Sequence, residues 1–246
     1  MNKPFKFKQF TIHQDKCAMK VGTDGVLLGA WTSLNNNPNS ILDIGTGTGL
    51  VALQLAQRSN ALTIDAVEID DNAFEQAVEN FENSDWSDRL FCYHASLQEF
   101  MQEIDEQYDL IVSNPPFYTP TMSSTSFPKG EKDISDARKK ARFYDSLPFE
   151  NLIDSVSKLL SKNGTFSVII PFKEEEKFIE IAHKYLLFLN RICRVKGNPQ
   201  SEIKRSLLEF SFHKDNIKSE NLIIEIERHQ YTADYNALVK NFYLKL

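Results

Sequence analysis

The sequence predicts a doubly wound α/β domain, in which a mostly parallel sheet carries helices on both faces. From Ser40 onward, apolar strand-like runs alternate with helical patterns, and this alternation implies right-handed crossovers between parallel strands. A glycine-rich loop, "GTGTG" at residues 45–49, separates the first of these strands from the first helix, where such sheets bind their ligands. The 246 residues are 41% hydrophobic and 25% charged, a composition that supports one large core.

The chain before this pattern is predicted to be a small β extension, residues 1–39, that packs on one globular domain, residues 40–246. Residues 5–13, "FKFKQFTIH", alternate apolar and polar side chains, which is typical of a strand or hairpin with one wet face. "GVLLGAW" at residues 25–31 predicts a helix whose apolar residues pack on the sheet.

The parallel core follows in order. Strands are predicted in "SILDIG", "LTIDAVEI", "LFCYHA" and "YDLIVSN", and helices in "GLVALQLAQR" and "NAFEQAVENF". A later helix has spaced apolar side chains at Leu152, Ile153, Val156, Leu159 and Leu160. The pair Asn163–Gly164 is predicted to end that helix before the strand "TFSVIIP".

The last quarter of the chain has a different pattern. "FLNRICRVKG", "KRSLLEFSF" and "NLIIEIERH" are strand-like with little helix between them, which favours an antiparallel edge over further crossovers. The segment "YTADYNALVKNFYLKL" is predicted to be a helix or an extended tail. It would place four apolar side chains on the core, namely Tyr235, Leu238, Phe242 and Leu244.

Charge and cysteine content exclude several classes of protein. The net charge of -6 excludes a uniformly basic surface for nucleic acid. Cys17, Cys92 and Cys193 have neither a CxxC pattern nor zinc-ligand spacing, so we expect no metal and a reducing cytoplasm. The chain also lacks an apolar signal core and a run of ~18 apolar residues, so no membrane contact is expected. We expect a soluble cytoplasmic protein that is a monomer.

The glycine loop predicts a nucleoside cofactor. Asp43 precedes the loop at the strand tip, where a carboxylate would repel a dinucleotide's pyrophosphate and favours a positive or neutral group, such as the amino-acid end of S-adenosyl-L-methionine. Glu68 ends the second strand, where it can accept both hydroxyls of a ribose. A nicotinamide cofactor also needs that contact and stays a weaker alternative. The predicted cofactor-binding residues are Asp43, Gly45, Thr46, Gly47, Gly49, Glu68 and Ile69, with Ser96 and Leu97 beside the adenine.

A second motif, "SNPPFY" at residues 113–118, predicts chemistry on an amine. An exocyclic amine of a base is a poor nucleophile, but two acceptors can hold its N–H hydrogens and direct its lone pair at a methyl group. The Asn114 side-chain oxygen and the Pro115 carbonyl can be those acceptors, and Phe117 can stack on a planar substrate. We predict Asn114, Pro115 and Phe117 as catalytic residues, with Pro116 and Tyr118 contacting the substrate.

These motifs carry a family resemblance. "DIGTGTG", "VEID" and "SNPPF" resemble the class I S-adenosylmethionine-dependent methyltransferases that modify amines of adenine or cytosine or the side-chain amide of glutamine. Residues 7–31 and the closing segment are similar to the bacterial tRNA1(Val) adenine-37 N6-methyltransferases. The resemblance implies a Rossmann-like, seven-stranded, mostly parallel sheet with an antiparallel edge hairpin. It also implies that Lys20, Thr23 and Asp24 line the mouth of the cofactor site.

The resemblance implies that the substrate is the N6 amine of adenine 37, next to the anticodon of tRNA1(Val). An anticodon-loop base is already partly unstacked, so extruding it costs less than in a duplex. Basic side chains that could bind this stem-loop follow the second motif, and we predict RNA contact by Arg138, Lys139, Lys140 and Arg142. The alternatives are another RNA base amine, a protein glutamine amide, or an RNA-binding module without catalysis.

Overall fold

A computed structural model describes residues 3–116 and 148–245 of the chain. Within these ranges, eight strands form one sheet: β3 (Ser40–Ile44), β4 (Thr63–Glu68), β5 (Leu90–His94), β6 (Tyr108–Ser113), β7 (Leu160–Pro171), β8 (Phe188–Lys196), β9 (Ile203–Ser211) and β10 (Lys218–Ile223). Two short hairpins flank it, one of β1 (Phe5–Lys6) with β2 (Thr11–Ile12) and one of β11 (Glu225–Glu227) with β12 (Gln230–Tyr231). The helices are α1 (Thr23–Trp31), α2 (Leu50–Arg58), α3 (Asp71–Glu82), α4 (Leu97–Glu103), α5 (Phe149–Leu159), α6 (Glu175–Lys184) and α7 (Ala233–Val239), with a 3-10 turn at Phe172–Glu174.

The order of the strands confirms the predicted fold class. The sheet runs β10-β8-β9-β7-β6-β3-β4-β5. Strands β5, β4, β3, β6 and β7 pair in parallel, and β9 lies antiparallel between β7 and β8. The resemblance implied seven strands, whereas the sheet of the described residues has eight, with Lys218–Ile223 as the outer strand on one edge. That strand pairs in parallel with β8, so "NLIIEIERH" does not extend the antiparallel part of the sheet.

Hydrophobic side chains cover both faces of the sheet. On β3, Ile41 belongs to one buried cluster and Leu42 to the other, as expected from the alternation of side chains along a strand. The first cluster takes in α1, α2, α3 and α7, whereas the second takes in α4, α5 and α6. The helices therefore lie on both faces, as the sequence predicted.

Three local predictions were wrong. Helix α5 ends at Leu159 rather than at Asn163–Gly164, and those residues lie inside β7. Position 164 in β7 requires glycine because the Tyr108 backbone packs closely against it: a Cβ there would lie 2.8 Å from the Tyr108 carbonyl oxygen. Residues 97–103 form helix α4, where the sequence analysis predicted no helix. Leu244 is 56% exposed, so it does not join the core.

The N-terminal hairpin and the C-terminal segment pack together on the first cluster. Strands β1 and β2 pair antiparallel, which confirms the predicted hairpin, and Phe7, Phe10 and Ile12 are buried. Phe7 forms a bridge with Tyr243, and the Lys8 N–H donates to the Phe242 carbonyl at 2.8 Å. Of the predicted C-terminal contacts, Tyr235 and Phe242 are buried and Leu238 packs against the same cluster.

Candidate active site

The predicted motifs meet at one edge of the sheet. Strand β3 lies between β4 and β6, and Ile44 at its end is in register with Val67 on one side and Ser113 on the other. The residues that follow these three positions are Gly45, Glu68 and Asn114. Because neighbouring strands are about 4.8 Å apart, the glycine loop lies between the acidic residue and the SNPP segment.

The glycine loop has the backbone of an open cradle. Gly45, Gly47 and Gly49 have φ angles of 70°, 58° and 79°, a left-handed region that favours glycine. A Cβ placed on Gly45 or Gly47 would meet no heavy atom of the described residues within 4 Å. The loop surface at these two positions is therefore free to lie against the polar end of a nucleoside cofactor.

Asp43 is buried beneath this loop and fixes its shape. Its Oδ2 accepts from the Thr46 hydroxyl at 2.7 Å and from the Ala52 N–H at 3.2 Å, which ties the start of the loop to the first turn of α2. Burial raises the pKa of Asp43 to about 7, and the nearby charge of Glu68 adds to this rise. The structure shows the hydrogen bonds of Asp43 to Thr46 and Ala52. The contact of Asp43 with a cofactor amine stays a prediction.

The raised pKa of Asp43 predicts how stability depends on pH. In the unfolded chain the carboxyl has its ordinary pKa, so the folded state binds the proton more tightly than the unfolded state does. The resulting stabilisation of the fold is complete below about pH 4 and is lost as the pH rises through about 7. We compare the free energy of unfolding of Asp43→Asn with that of the cofactor-free wild type. The difference, variant minus wild type, is expected to rise by about 2–4 kcal/mol from pH 4 to pH 8, because only the wild type loses stability over this range. Urea unfolding at each pH measures this difference, and parallel curves for the two proteins would contradict it.

Glu68 connects the end of β4 to the glycine loop. Its Oε2 accepts from the Gly47 N–H at 2.8 Å, and its Oε1 accepts from the Ile69 and Asp70 N–H groups, each at 2.9 Å. Burial raises the pKa of Glu68, although the three N–H donors oppose the rise. The carboxylate is thus held at the predicted ribose position, and its contact with ribose hydroxyls stays a prediction.

The SNPP segment is anchored by a residue that the sequence reasoning missed. The hydroxyl of Ser113, which is buried, donates to the Ile44 carbonyl at 2.9 Å and so joins the ends of β6 and β3. After it, Asn114 is half-buried, Pro115 is buried and Pro116 is exposed. The other predicted substrate residues, Phe117, Tyr118, Arg138, Lys139, Lys140 and Arg142, lie outside the described residues.

Two of the three N-terminal residues predicted at the cofactor mouth have hydrogen-bond partners within the chain. Lys20 donates through Nζ to the carbonyls of Gln14 and Cys17, and Asp24 accepts from Arg205 Nε at 2.7 Å. Thr23 is exposed and lines a cavity of about 450 Å³ together with tyrosines of the C-terminal part. Contact of Lys20, Thr23 and Asp24 with the cofactor stays a prediction.

The remaining predicted cofactor-binding residues, Ile69, Ser96 and Leu97, lie where β4 and β5 end, and Ser96 and Leu97 are the two predicted beside the adenine. Ile69 is 48% exposed, so its side chain is available to a ligand. The side chain of Ser96 caps α4 in a reciprocal pair with Glu99, and Leu97 is buried in the second hydrophobic cluster. Their contact with adenine stays a prediction.

The described residues contain neither a metal-binding cluster nor a membrane-spanning helix. No group of three or more His, Cys, Asp and Glu side chains in that part of the chain is arranged to hold a metal ion. Across 3–116 and 148–245, no helix has the length and apolar character required to cross a membrane.

Known proteins similar to this chain are methyltransferases. The family described as "Methyltransferase small domain" matches residues 24–139. A tRNA1(Val) (adenine(37)-N6)-methyltransferase of Flavobacterium psychrophilum is 60% identical over 242 residues, covering 98% of this chain and 100% of that protein. The protein of the same name from Christiangramia forsetii is 58% identical over 247 residues, covering 100% of this chain and 99% of that protein. A solved structure titled as a predicted O-methyltransferase from Agrobacterium tumefaciens has a TM-score of 0.67 at 18% identity, over 89% of this chain and 96% of that one, which shows a shared fold alone.

Proposed function

This chain belongs to the tRNA1(Val) (adenine(37)-N6)-methyltransferase family, and we propose that it transfers a methyl group from S-adenosyl-L-methionine to the N6 amine of adenine 37 in tRNA1(Val). One observation supports the site most directly. The register of β3 with β6 places SNPP beside the glycine loop, so a methyl donor on the loop and an amine held by SNPP would be neighbours.

The open cradle fits the cofactor, which supplies an electrophilic methyl group when it is bound. Gly45 and Gly47 leave room for its polar end, and Glu68 offers carboxylate oxygens for a ribose. Asp43 favours a positively charged amine, because such a charge offsets the cost of ionising a buried carboxyl. The side chain of Ile69 would pack against the adenine ring.

The chain's own residues would prepare the substrate amine. The Asn114 side-chain oxygen and the Pro115 carbonyl would accept its two N–H hydrogens, which directs the lone pair away from the ring. Pro116 has no N–H to compete for these acceptors. Phe117 would stack beneath the base, and the proton released after transfer would go to water.

The direct test uses unmodified tRNA1(Val) and labelled S-adenosyl-L-methionine. We expect N6-methyladenosine at position 37 by mass spectrometry, and no product with a matched transcript that has guanine at position 37, because guanine lacks the 6-amine. Label on a cytosine amine or on a protein glutamine would replace the proposal by one of the alternatives. Binding of tRNA without methyl transfer would indicate a non-catalytic module.

We also propose that the protein is a cytoplasmic monomer in which residues 1–39 are an extension of one domain over 40–246. Cys17, Cys92 and Cys193 are all free thiols, which supports a reducing compartment. Light scattering on the purified protein measures its oligomeric state.

A further inference from the structure

A buried asparagine joins the N-terminal segment to the glycine loop. The Asn80 Oδ1 accepts from the His13 N–H at 2.8 Å, and its Nδ2 donates to the His13 carbonyl at 2.9 Å and to the Thr48 carbonyl at 2.8 Å. Asn80 is 1% exposed. Thr48 lies between two loop glycines, so a single side chain of α3 holds both the loop and the chain that enters after β2.

The side-chain amide matches this position in a way that other residue types do not. It offers an acceptor oxygen and two N–H donors, and all three of these bonds are made. Asp would keep the acceptor for the His13 N–H but would lose both donors and place a carboxylate against two carbonyl oxygens. Ala would leave the Thr48 carbonyl without this donor in a buried setting, which is costly.

The segment held by Asn80, residues 13–21, lies beside the cofactor-binding edge. Gln76 on α3 accepts from the Lys16 N–H at 3.1 Å, and Gln14 Oε1 accepts from the Val21 N–H at 2.9 Å. Burial raises the pKa of the Cys17 thiol to about 12, and the charges of Glu68 and Asp70 add to this rise. The bonds from Asn80 and Gln76 therefore hold the segment against α3, the helix that begins just after Glu68.

We propose that Asn80 is a positioning residue for S-adenosyl-L-methionine, which acts by fixing the Thr48 peptide of the glycine loop and the adjacent segment 13–21. The inference rests on the proposed function, because it takes the glycine loop as the site of the methyl donor. Asn80 acts through backbone groups and does not act on the tRNA.

The test separates cofactor binding from folding and from transfer. For Asn80→Ala and Asn80→Asp we expect a KM for S-adenosyl-L-methionine that is raised about tenfold or more, which corresponds to about 1.4 kcal/mol, with little change in kcat or in the KM for tRNA. Asn83→Ala is the matched control, because the Asn83 side chain donates to the Glu79 carbonyl at the end of the same helix. Val156→Ala destabilises the opposite core cluster and controls for a general loss of stability.

Calorimetric titration of each folded variant with S-adenosyl-L-methionine gives the decisive reading. Weaker binding by the Asn80 variants together with wild-type-like binding by both controls supports the inference. Equal binding by all of them overturns it, whereas a wild type that does not bind the cofactor overturns the proposed function instead. If the Asn80 variants do not fold, Gln14→Ala loosens the same segment by removing its internal bond to the Val21 N–H, and unchanged cofactor affinity in that variant also overturns the inference.

Discussion

Asn114→Ala is expected to lower the rate of methyl transfer to tRNA by about 10²–10³-fold, the size of effect seen when one positioned hydrogen-bonding group is removed from an active site. The variant retains the Pro115 carbonyl but loses the side-chain oxygen that would accept one amine hydrogen. The amine lone pair then stays delocalised in the ring and is poorly directed at the methyl group. Single-turnover kinetics at saturating cofactor and tRNA measure this step.

Binding should be affected much less than chemistry in this variant. Asn114 is half-buried and follows the anchored end of β6, so we expect near wild-type stability and cofactor affinity. Asn114→Asp keeps an acceptor oxygen and is expected to fall between wild type and Asn114→Ala. Asn151→Ala, on the exposed face of α5, is a control that should transfer normally. An Asn114→Ala protein with full activity would refute the acceptor role.

Gly49→Ala is expected to lower the free energy of unfolding by about 2–5 kcal/mol, because two costs add. Gly49 has a φ of 79°, a backbone conformation that costs an alanine about 1–2 kcal/mol. Its Cβ would also lie 2.5 Å from the Phe81 ring, and Phe81 is 3% exposed in the first cluster. Displacing a packed ring typically costs about 1–3 kcal/mol. Urea unfolding of the cofactor-free protein measures the sum.

Gly47→Ala provides the contrast within the same loop. Its φ is 58°, so the backbone cost is similar, but its Cβ would meet no described heavy atom within 4 Å. We expect a smaller loss of stability than in Gly49→Ala and a larger loss of cofactor affinity per folded molecule, because the added methyl group fills the cradle. Equal unfolding midpoints for the two variants would contradict the role of Phe81.

The sequence was most informative where periodicity and position agree. Alternating strand and helix patterns predicted the parallel core, and the strand ends predicted that the glycine loop, Glu68 and Asn114 would meet. Helix α4 could have been recognised, because Ser96 and Glu99 have the spacing of a capping box. Asn80 could also have been recognised from the sequence, because it is a polar residue on the same buried face of α3 as Ala73, Ala77 and Phe81.

Other features depend on contacts that a single sequence does not encode locally. Strand β10 pairs in parallel with β8, and a strand's own residues do not state the direction of its partner. Asn163–Gly164 has a helix-stop composition, yet the close approach of the Tyr108 carbonyl explains why glycine is there. The bond of Asp24 to Arg205 likewise arises only when distant segments pack together.

The pairing of residues 7–8 with 242–243 has a consequence for synthesis on the ribosome. The β1–β2 hairpin is made first, but the C-terminal segment that it contacts is made more than 230 positions later. At about 5–20 residues per second, the hairpin waits on the order of ten seconds or longer before it can dock. The parallel core can assemble during that interval, while the hairpin takes its place only after residues 240–243 have left the ribosomal tunnel.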